Sequence, residues 1–122
     1  MSFCAIKLSH GRNTFAPAEK LTGSVEWNLN KLPESAEVRL FWYTTGKGDQ
    51  DVSIVEKRTL IPSMQYQGEF EFVVPEGPFS FSGKLISLVW AIELVCAGAD
   101  AVARETIVVS PAGKEIQLTK VQ

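Results

Sequence analysis

Hydrophobic and polar residues alternate along much of this chain. The clearest stretch is Leu21–Leu29, in which every second residue is apolar or glycine and the residues between them are polar. A period of two with one polar face is typical of a half-buried antiparallel strand. The same alternation predicts strands over Phe3–Leu8, Ala36–Thr44, Gly68–Val74 and Leu85–Cys96.

The longest apolar strand takes its phase from its only charged residue. Because Glu93 should face water, the residues that alternate with it should face the core. The three tryptophans, Trp27, Trp42 and Trp90, all fall on inward sides by the same reasoning, which disfavours an exposed tryptophan platform for carbohydrate. The inward residues predicted for this strand are Ile86, Leu88, Trp90, Ile92, Leu94 and Cys96.

One segment has a pattern that changes phase. Within Gln50–Leu60, Val52 and Ile54 set an alternation that Glu56 and Arg58 then break. A bulge inserts one residue and shifts the phase of a strand. We therefore expect a bulge or an exposed half in this segment.

Turn-forming residues separate the strands. Two more strands are predicted near the end of the chain, over Val102–Val109 and Lys114–Val121. Only at the start of Val102–Val109 does the pattern also allow a helix. About seven or eight short strands at this spacing predict a sandwich or barrel. A length of 122 residues suits one hydrophobic core. We expect a single domain over residues 1–122, an all-β, antiparallel, immunoglobulin-like β-sandwich.

Prolines and glycines mark the connection before the longest strand. Pro75 ends the strand before it because proline cannot donate to a ladder. Pro78 restricts the crossover, which would let Phe79 or Phe81 enter the core as a plug. Gly23, inside a strand, indicates close packing or a bulge.

Two segments resemble the arrestin family. Phe15-Ala-Pro-Ala-Glu-Lys-Leu-Thr-Gly-Ser-Val25 is similar to a family pattern of an aromatic, Pro, Glu, a polar spacer and Gly-x-Val entering a strand. Phe70-x-Phe-x-x-Pro75 with Pro78-x-Ser-Phe-x-Gly83 is similar to its Phe-x-Phe-x-Leu-Pro crossover and following turn. The strand after that turn carries Trp90 where the family usually has Tyr. The resemblance covers nearly the whole chain and implies an arrestin-like sandwich of the N-terminal type.

The resemblance implies a class of role, a non-enzymatic scaffold that grips another protein. Arrestins proper have two sandwiches in tandem with a charged latch between them, whereas this chain has the length of one. Receptor-binding arrestins also carry paired lysines near the first strand. Here Lys7 stands alone there, with His10 and Arg12 in the next turn. A phosphate-reading role is therefore not expected.

Composition narrows the possible partners. A net charge of −2 gives no concentrated basic face for nucleic acid. The longest apolar run, Leu85–Ala97, is interrupted by Glu93 and is too short to span a bilayer. The first residues lack the pattern of a secretory signal. Two cysteines do not make a disulfide framework, so we expect a cytoplasmic protein.

Candidate catalytic and metal residues are few. His10 is the only histidine and lies in a turn, which excludes a histidine pair within one chain. Cys4 and Cys96 fall on inward faces, where free cysteine behaves as a small hydrophobe; a disulfide between them stays open. The glutamates Glu69, Glu71 and Glu93 occupy polar faces typical of solvated carboxylates. We expect no catalytic residue, no cofactor and no metal site.

The candidate partner-binding residues are Phe41, Tyr43, Arg39 and Lys7. If the residues alternating with Phe41 face the core, Phe41 and Tyr43 share the outer face with Arg39. Two aromatics on an outer face are either covered by a neighbouring segment or form an adhesive patch. Interfaces are enriched in aromatics and arginine.

We therefore expect a protein-interaction module whose partner is another protein or a second copy. The partner would bind through this face, through a sheet edge, or both. Phe3–Leu8 and Lys114–Val121 are the expected edges. The alternative is a small-ligand or carbohydrate-binding sandwich that uses the loops Gly46–Asp51 and Gly98–Asp100. We expect a protein partner rather than a small ligand.

Overall fold

The computed structural model describes residues 2–46, 50–83 and 85–111 and the backbone of residues 116–117. Strands dominate this part of the chain, and its only helical element is a short 3-10 turn at Ser9–Gly11. The strands are β1 Phe3–Leu8, β2 Thr14–Phe15, β3 Lys20–Asn28, β4 Ser35–Gly46, β5 Val52–Leu60, β6 Gln65–Val73, β7 Phe81–Ser82, β8 Ile86–Ala97, β9 Ala101–Val109 and β10 Ile116–Gln117. In the described part of the chain, no helix is long and apolar enough to cross a membrane.

The strands form two sheets. The smaller sheet has the order β1-β3-β6, with antiparallel neighbours. The larger sheet has the order β10-β7-β8-β4-β5, and β9 also pairs with β8. Two short pairs, β2 with β9 and β7 with β10, are parallel, unlike the long pairs.

The inner faces of the two sheets meet in the hydrophobic core. The inward residues of β3, β4 and β8 are those that the alternation in the sequence predicts. Burial of each large apolar side chain stabilises the fold by roughly 1.5–3 kcal/mol. The largest fully buried side chains are Trp27, Trp90, Phe72, Leu21, Leu40, Ile92, Leu94 and Ile107. The predicted β-sandwich is therefore confirmed.

Buried indoles are fixed by hydrogen bonds to loops. Trp27 Nε1 donates to the carbonyl oxygen of Ser63 at 2.7 Å, and Trp90 Nε1 donates to that of Pro78 at 2.8 Å. Trp42 is half-buried and packs against the core. All three tryptophans thus lie on the inward side, as predicted.

The crossover before β8 is tied to β9. Phe79 and Phe81 pack partly buried against the core, in the plug role expected for one of them. Between them, Ser80 is only 1% exposed. Its Oγ accepts a hydrogen bond from Val109 N at 2.9 Å, and its N–H donates to Val109 O at 2.8 Å. The sequence did not indicate this role for Ser80.

Two local expectations are confirmed. A Cβ placed on Gly23 would lie 2.5 Å from the carbonyl oxygen of Lys7 and 2.8 Å from the Phe70 ring, so this glycine permits close packing.

In β5, the pairing with β4 passes from Leu40 opposite Glu56 to Phe41 opposite Ile54. Val55 is therefore the extra residue of a bulge.

Other expectations need correction or stay open. Ile86, predicted to point inward, is 38% exposed, because it pairs with Gly46 at the very end of β4 where the core has ended. β1 is an edge of the smaller sheet, as expected. Of the predicted strand Lys114–Val121, the backbone of Ile116–Gln117 forms β10, and the remainder lies outside the described residues.

Candidate functional site

Three of the four residues predicted to bind a partner lie together on the outer face of the larger sheet. Arg39, Phe41 and Tyr43 alternate along β4 with the core residues Val38 and Leu40, which are fully buried. Their side chains therefore point away from the core. They form a row along β4, which lies between β8 and the edge strand β5.

Lys7 lies elsewhere. It is on β1 of the smaller sheet, opposite Ser24 of β3, and is exposed. Because its neighbour Ile6 points into the core, Lys7 points outward from the other layer of the sandwich. The structure does not bring Lys7 to the row formed by Arg39, Phe41 and Tyr43.

The two aromatic rings of this row stack on each other. The centroids of Phe41 and Tyr43 are 5.8 Å apart, with an interplanar angle of 24°. Phe41 is only 5% exposed although it faces outward, whereas Tyr43 is half-buried. Of the two outcomes expected for this pair, Phe41 is covered and Tyr43 stays accessible.

Arg104 of β9 covers the aromatic pair. Its guanidinium carbon lies 5.2 Å from the centroid of Phe41 and 5.4 Å from that of Tyr43. A guanidinium this close to a ring face makes a cation–π contact. The hydrogen bond from Arg104 to Glu93 raises the pKa of the guanidinium further, so Arg104 is always charged.

Glu93 of β8 connects Arg104 to Arg39. Arg104 Nη2 lies 2.8 Å from Glu93 Oε2, and Arg39 Nη1 lies 3.7 Å from Glu93 Oε1. The Glu93 side chain is only 13% exposed. Its carboxylate therefore holds the Arg104 guanidinium beside the rings and also pairs with Arg39.

A second carboxylate extends this network along β4 and β5. Arg39 Nε donates to Glu37 Oε1 at 2.6 Å, and Arg39 Nη2 forms an ion pair with the same oxygen. Lys57 Nζ lies 3.9 Å from Glu37 Oε2. Single exposed ion pairs contribute little to stability, but a network with planar guanidinium groups fixes geometry.

Apolar side chains complete the face at its β5 side. Val52 is opposite Tyr43 and Ile54 is opposite Phe41, so their side chains share the outer face with the rings. They are 66% and 50% exposed. Together with the aromatic pair and the arginines they line a shallow groove of about 400 Å³. We call the residues Arg39, Phe41, Tyr43, Val52, Ile54, Glu93 and Arg104 the outer groove.

Sequence reasoning missed the contribution of β9 and β5 to this groove. Alternation along Val102–Val109 could have indicated that Arg104 points outward. The position of Arg104 above Phe41 depends on two cross-strand registers, Phe41 opposite Ala91 and Glu93 opposite Arg104. A single sequence does not fix such registers.

The cysteines are free thiols in the interior. Cys96 is buried and Cys4 is half-buried, and they form no disulfide with each other. Burial raises the pKa of both thiols; for Cys96, with the nearby Cys4 adding to burial, it reaches about 11. Both groups are therefore protonated at neutral pH, and neither has the lowered pKa of a nucleophile.

The carboxylates considered for catalysis lie apart. Glu69 and Glu71 alternate with buried Phe70 and Phe72 on β6, so they face outward from the smaller sheet. Glu93 faces outward from the larger sheet. Within the described residues, no group of three or more His, Cys, Asp or Glu side chains could hold a metal ion.

The loops of the alternative ligand site form a second depression. The turn after β8 contains Gly98 and Asp100, which both have positive φ, 82° for Gly98 and 53° for Asp100. A depression of about 340 Å³ beside this turn is lined by residues that include Phe3 and Lys31. In the loop Gly46–Asp51, residues 47–49 lie outside the described residues.

Comparisons with known proteins are informative about the fold. No protein-family model matches the chain, and no curated protein does. A β-glucosidase from Listeria innocua in complex with gluconolactone aligns with a TM-score of 0.44 at 14% identity, over 94% of this chain and 16% of that chain. That likeness is too slight to support an argument.

A closer likeness is to Spo0M, a sporulation control protein from Bacillus subtilis. The TM-score is 0.62 at 15% identity, over 88% of this chain and 49% of that chain. The chain thus spans about half the length of Spo0M. The sheet order, the buried alternation and this likeness together show that the chain has an arrestin-like β-sandwich fold.

Proposed function

We propose that the chain, folding as one domain over residues 1–122, is a non-enzymatic protein-interaction module that binds a partner at the outer groove. The observation that carries the proposal is the exposure of Val52 and Ile54 beside a half-buried tyrosine and two fixed arginines. Exposed apolar patches rimmed by polar residues mark interaction sites. Tyrosine and arginine are also enriched among the few residues that contribute most of the binding energy of protein interfaces.

Pre-organisation of the groove supports this role. Arg104 is held by Glu93 and lies on both rings, so little rotamer freedom remains for a partner to restrict. Binding that freezes fewer side chains costs less free energy. A surface that served only solubility would not need this fixed arrangement.

The fold likeness is compatible with the proposal. Spo0M, a sporulation control protein, has a sandwich of similar build. The likeness supports the fold, and the binding role rests on the residues of this chain. The unbonded thiols of Cys4 and Cys96 support a reducing compartment such as the cytoplasm.

The test is comparative affinity capture from the source cells. One bait is a double variant, Tyr43→Ser with Arg39→Ser. The two changes remove accessible polar and aromatic contacts and leave the buried Phe41 in place. Lys7→Ser, on the other sheet, is the matched control. We expect the double variant to lose partners that wild type and the control both retain. A partner set identical for all three baits would contradict the proposal.

A further inference from the structure

The free edge of β5 borders the outer groove. Within the described residues β5 pairs with β4 alone and ends the larger sheet on this side. An edge strand presents backbone N–H and C=O groups that have no ladder partner. The edge therefore presents unpaired backbone groups next to the groove.

The backbone groups that face the free edge belong to Val52 and Ile54. Thr44 N donates to Asp51 O at 2.9 Å, so the backbone of Asp51 points toward β4. Successive residues of an antiparallel strand alternate in the side to which their backbone groups point. Ser53 therefore also points toward β4, while Val52 and Ile54 point to the free edge. The same two residues carry the exposed apolar side chains.

The rest of this edge is guarded against strand pairing. Natural edge strands are protected by bulges and by charged side chains. In β5 the bulge at Val55 is followed at once by Glu56, Lys57 and Arg58. Protection thus begins where the apolar pair ends, and the segment Val52–Ile54 is left open.

The edges formed by β6 and β1 differ from that of β5. β6, an edge of the smaller sheet, carries outward Glu69 and Glu71. Arg58 Nη2 reaches across from β5 to Glu71 O at 3.4 Å, and its guanidinium carbon lies 5.0 Å from the centroid of Phe72. β1 lies beside β9 at the opposite flank. Among these edges, the start of β5 alone combines open backbone groups with two adjacent exposed apolar side chains on one face.

Charge around the groove favours an acidic partner. The ion-pair network contains three cations, Arg39, Arg104 and Lys57, against two carboxylates, Glu37 and Glu93. Lys57 is the least engaged cation, since its side chain is 62% exposed and its contact with Glu37 is 3.9 Å. It lies opposite Arg39, on the same face as the apolar pair. A carboxylate of a partner strand beside Lys57 would balance this excess.

We propose that the start of β5 accepts an extended segment of a partner protein as an added antiparallel strand. That segment would carry apolar side chains at two alternate positions, against Val52 and Ile54, and an acidic residue at the end near Lys57. Main-chain hydrogen bonds would supply affinity and the alternate side chains specificity. The inference rests on the proposed function and specifies how the partner enters the outer groove.

The probe for the test is a phage-displayed library of short random peptides selected on the wild-type protein. We expect enriched peptides to share an acidic residue and two apolar residues in alternation. Ile54→Pro removes the free-edge N–H and leaves the ladder with β4 intact, since proline is tolerated where N–H faces solvent. It should weaken binding of the enriched peptides about tenfold or more, as lost hydrogen bonds imply.

A second variant and a control keep the test decisive if the proline variant folds poorly. Val52→Thr with Ile54→Thr keeps β-branched residues in the strand and removes apolar contact, so it should also weaken peptide binding. Val102→Thr makes the same chemical change at an exposed valine of β9 and should bind as wild type does. Thermal unfolding of each variant establishes that it is folded.

Three results would overturn the proposal. One is an enriched peptide that binds the β5 variants and wild type equally. Another is a library that yields no enriched peptide, which would leave the proposed function standing if the capture experiment still identifies partners lost on changing Tyr43 and Arg39. The third is a wild-type dimer in sedimentation that Ile54→Pro converts to monomer, because β5 would then pair with a second copy.

Discussion

Arg104 and Glu93 face each other across β9 and β8, and Arg104 Nη2 donates a 2.8 Å hydrogen bond to Glu93 Oε2. This bond aims the guanidinium at the rings of Phe41 and Tyr43. A hydrogen bond between two neighbouring strands thereby turns an outward phenylalanine into a covered residue. Coverage of Phe41 leaves Tyr43, Val52 and Ile54 as the accessible aromatic and apolar side chains of the outer groove.

Truncation of the covering arginine should destabilise the protein. Arg104→Ala removes the cation–π contacts and uncovers the Phe41 ring, so we expect the free energy of unfolding to fall by about 1 kcal/mol. Arg104→Lys keeps the charge but lacks the planar guanidinium and should lose part of this amount. Urea denaturation followed by tryptophan fluorescence measures both. Equal stability of Arg104→Ala and wild type would show that the arginine does not hold the rings.

Close packing at Gly23 predicts a larger cost. A Cβ there would meet the Lys7 carbonyl oxygen and the Phe70 ring at distances that require the strands to move. Overpacking of this kind destabilises by roughly 1–3 kcal/mol, which we expect for Gly23→Ala. Ser24→Ala, the next residue on the outward face, is the control and should change stability by less than about 0.5 kcal/mol. Chemical denaturation of the two variants gives the comparison.

Burial of Cys96 predicts a loss of stability at alkaline pH. The folded protein raises the pKa of this thiol from 9.0 to about 11, so the folded state keeps a proton that the unfolded chain releases. The contribution is fully present below pH 9 and is lost as the pH rises towards 11. Cys96→Ala should show a shallower fall of unfolding free energy over this range than wild type. Parallel slopes for the two proteins would contradict the assignment.

The orientation of β5 predicts alternating amide exchange in the isolated protein. The N–H of Ser53 points toward β4 and should be protected, whereas those of Val52 and Ile54 face the free edge and should exchange quickly. Nuclear magnetic resonance with hydrogen–deuterium exchange resolves the three amides. Protection of Ile54 together with exchange at Ser53 would mean that the register is shifted by one residue.

Local patterns predicted more of the fold than of the groove. Alternation placed Leu21, Leu40 and Trp90 in the core because side-chain direction depends only on strand position. The broken phase of Val52–Arg58 predicted the bulge for the same reason. Motifs around Pro75 and Pro78 indicated the arrestin-like build, which the two sheets together with the structural likeness to Spo0M confirm.

The groove depends on relations that alternation does not contain. Covering Phe41 requires Arg104 of a different strand, at a register that only the folded chain specifies. The exposure of Val52 and Ile54 depends on β5 being the last strand of its sheet. Lys7 was a candidate because it lies in the first strand. The topology places that strand in the smaller sheet, away from the groove.

Amide exchange with and without a selected peptide tests the central claim most directly, because it shows where a partner contacts the chain. We predict that the amides of Val52 and Ile54 become protected when the peptide is added. The amide of Val102 should exchange at the same rate with and without the peptide. Protection confined to β1 or to the turn at Gly98–Asp100, with unchanged exchange along β5, would contradict the account.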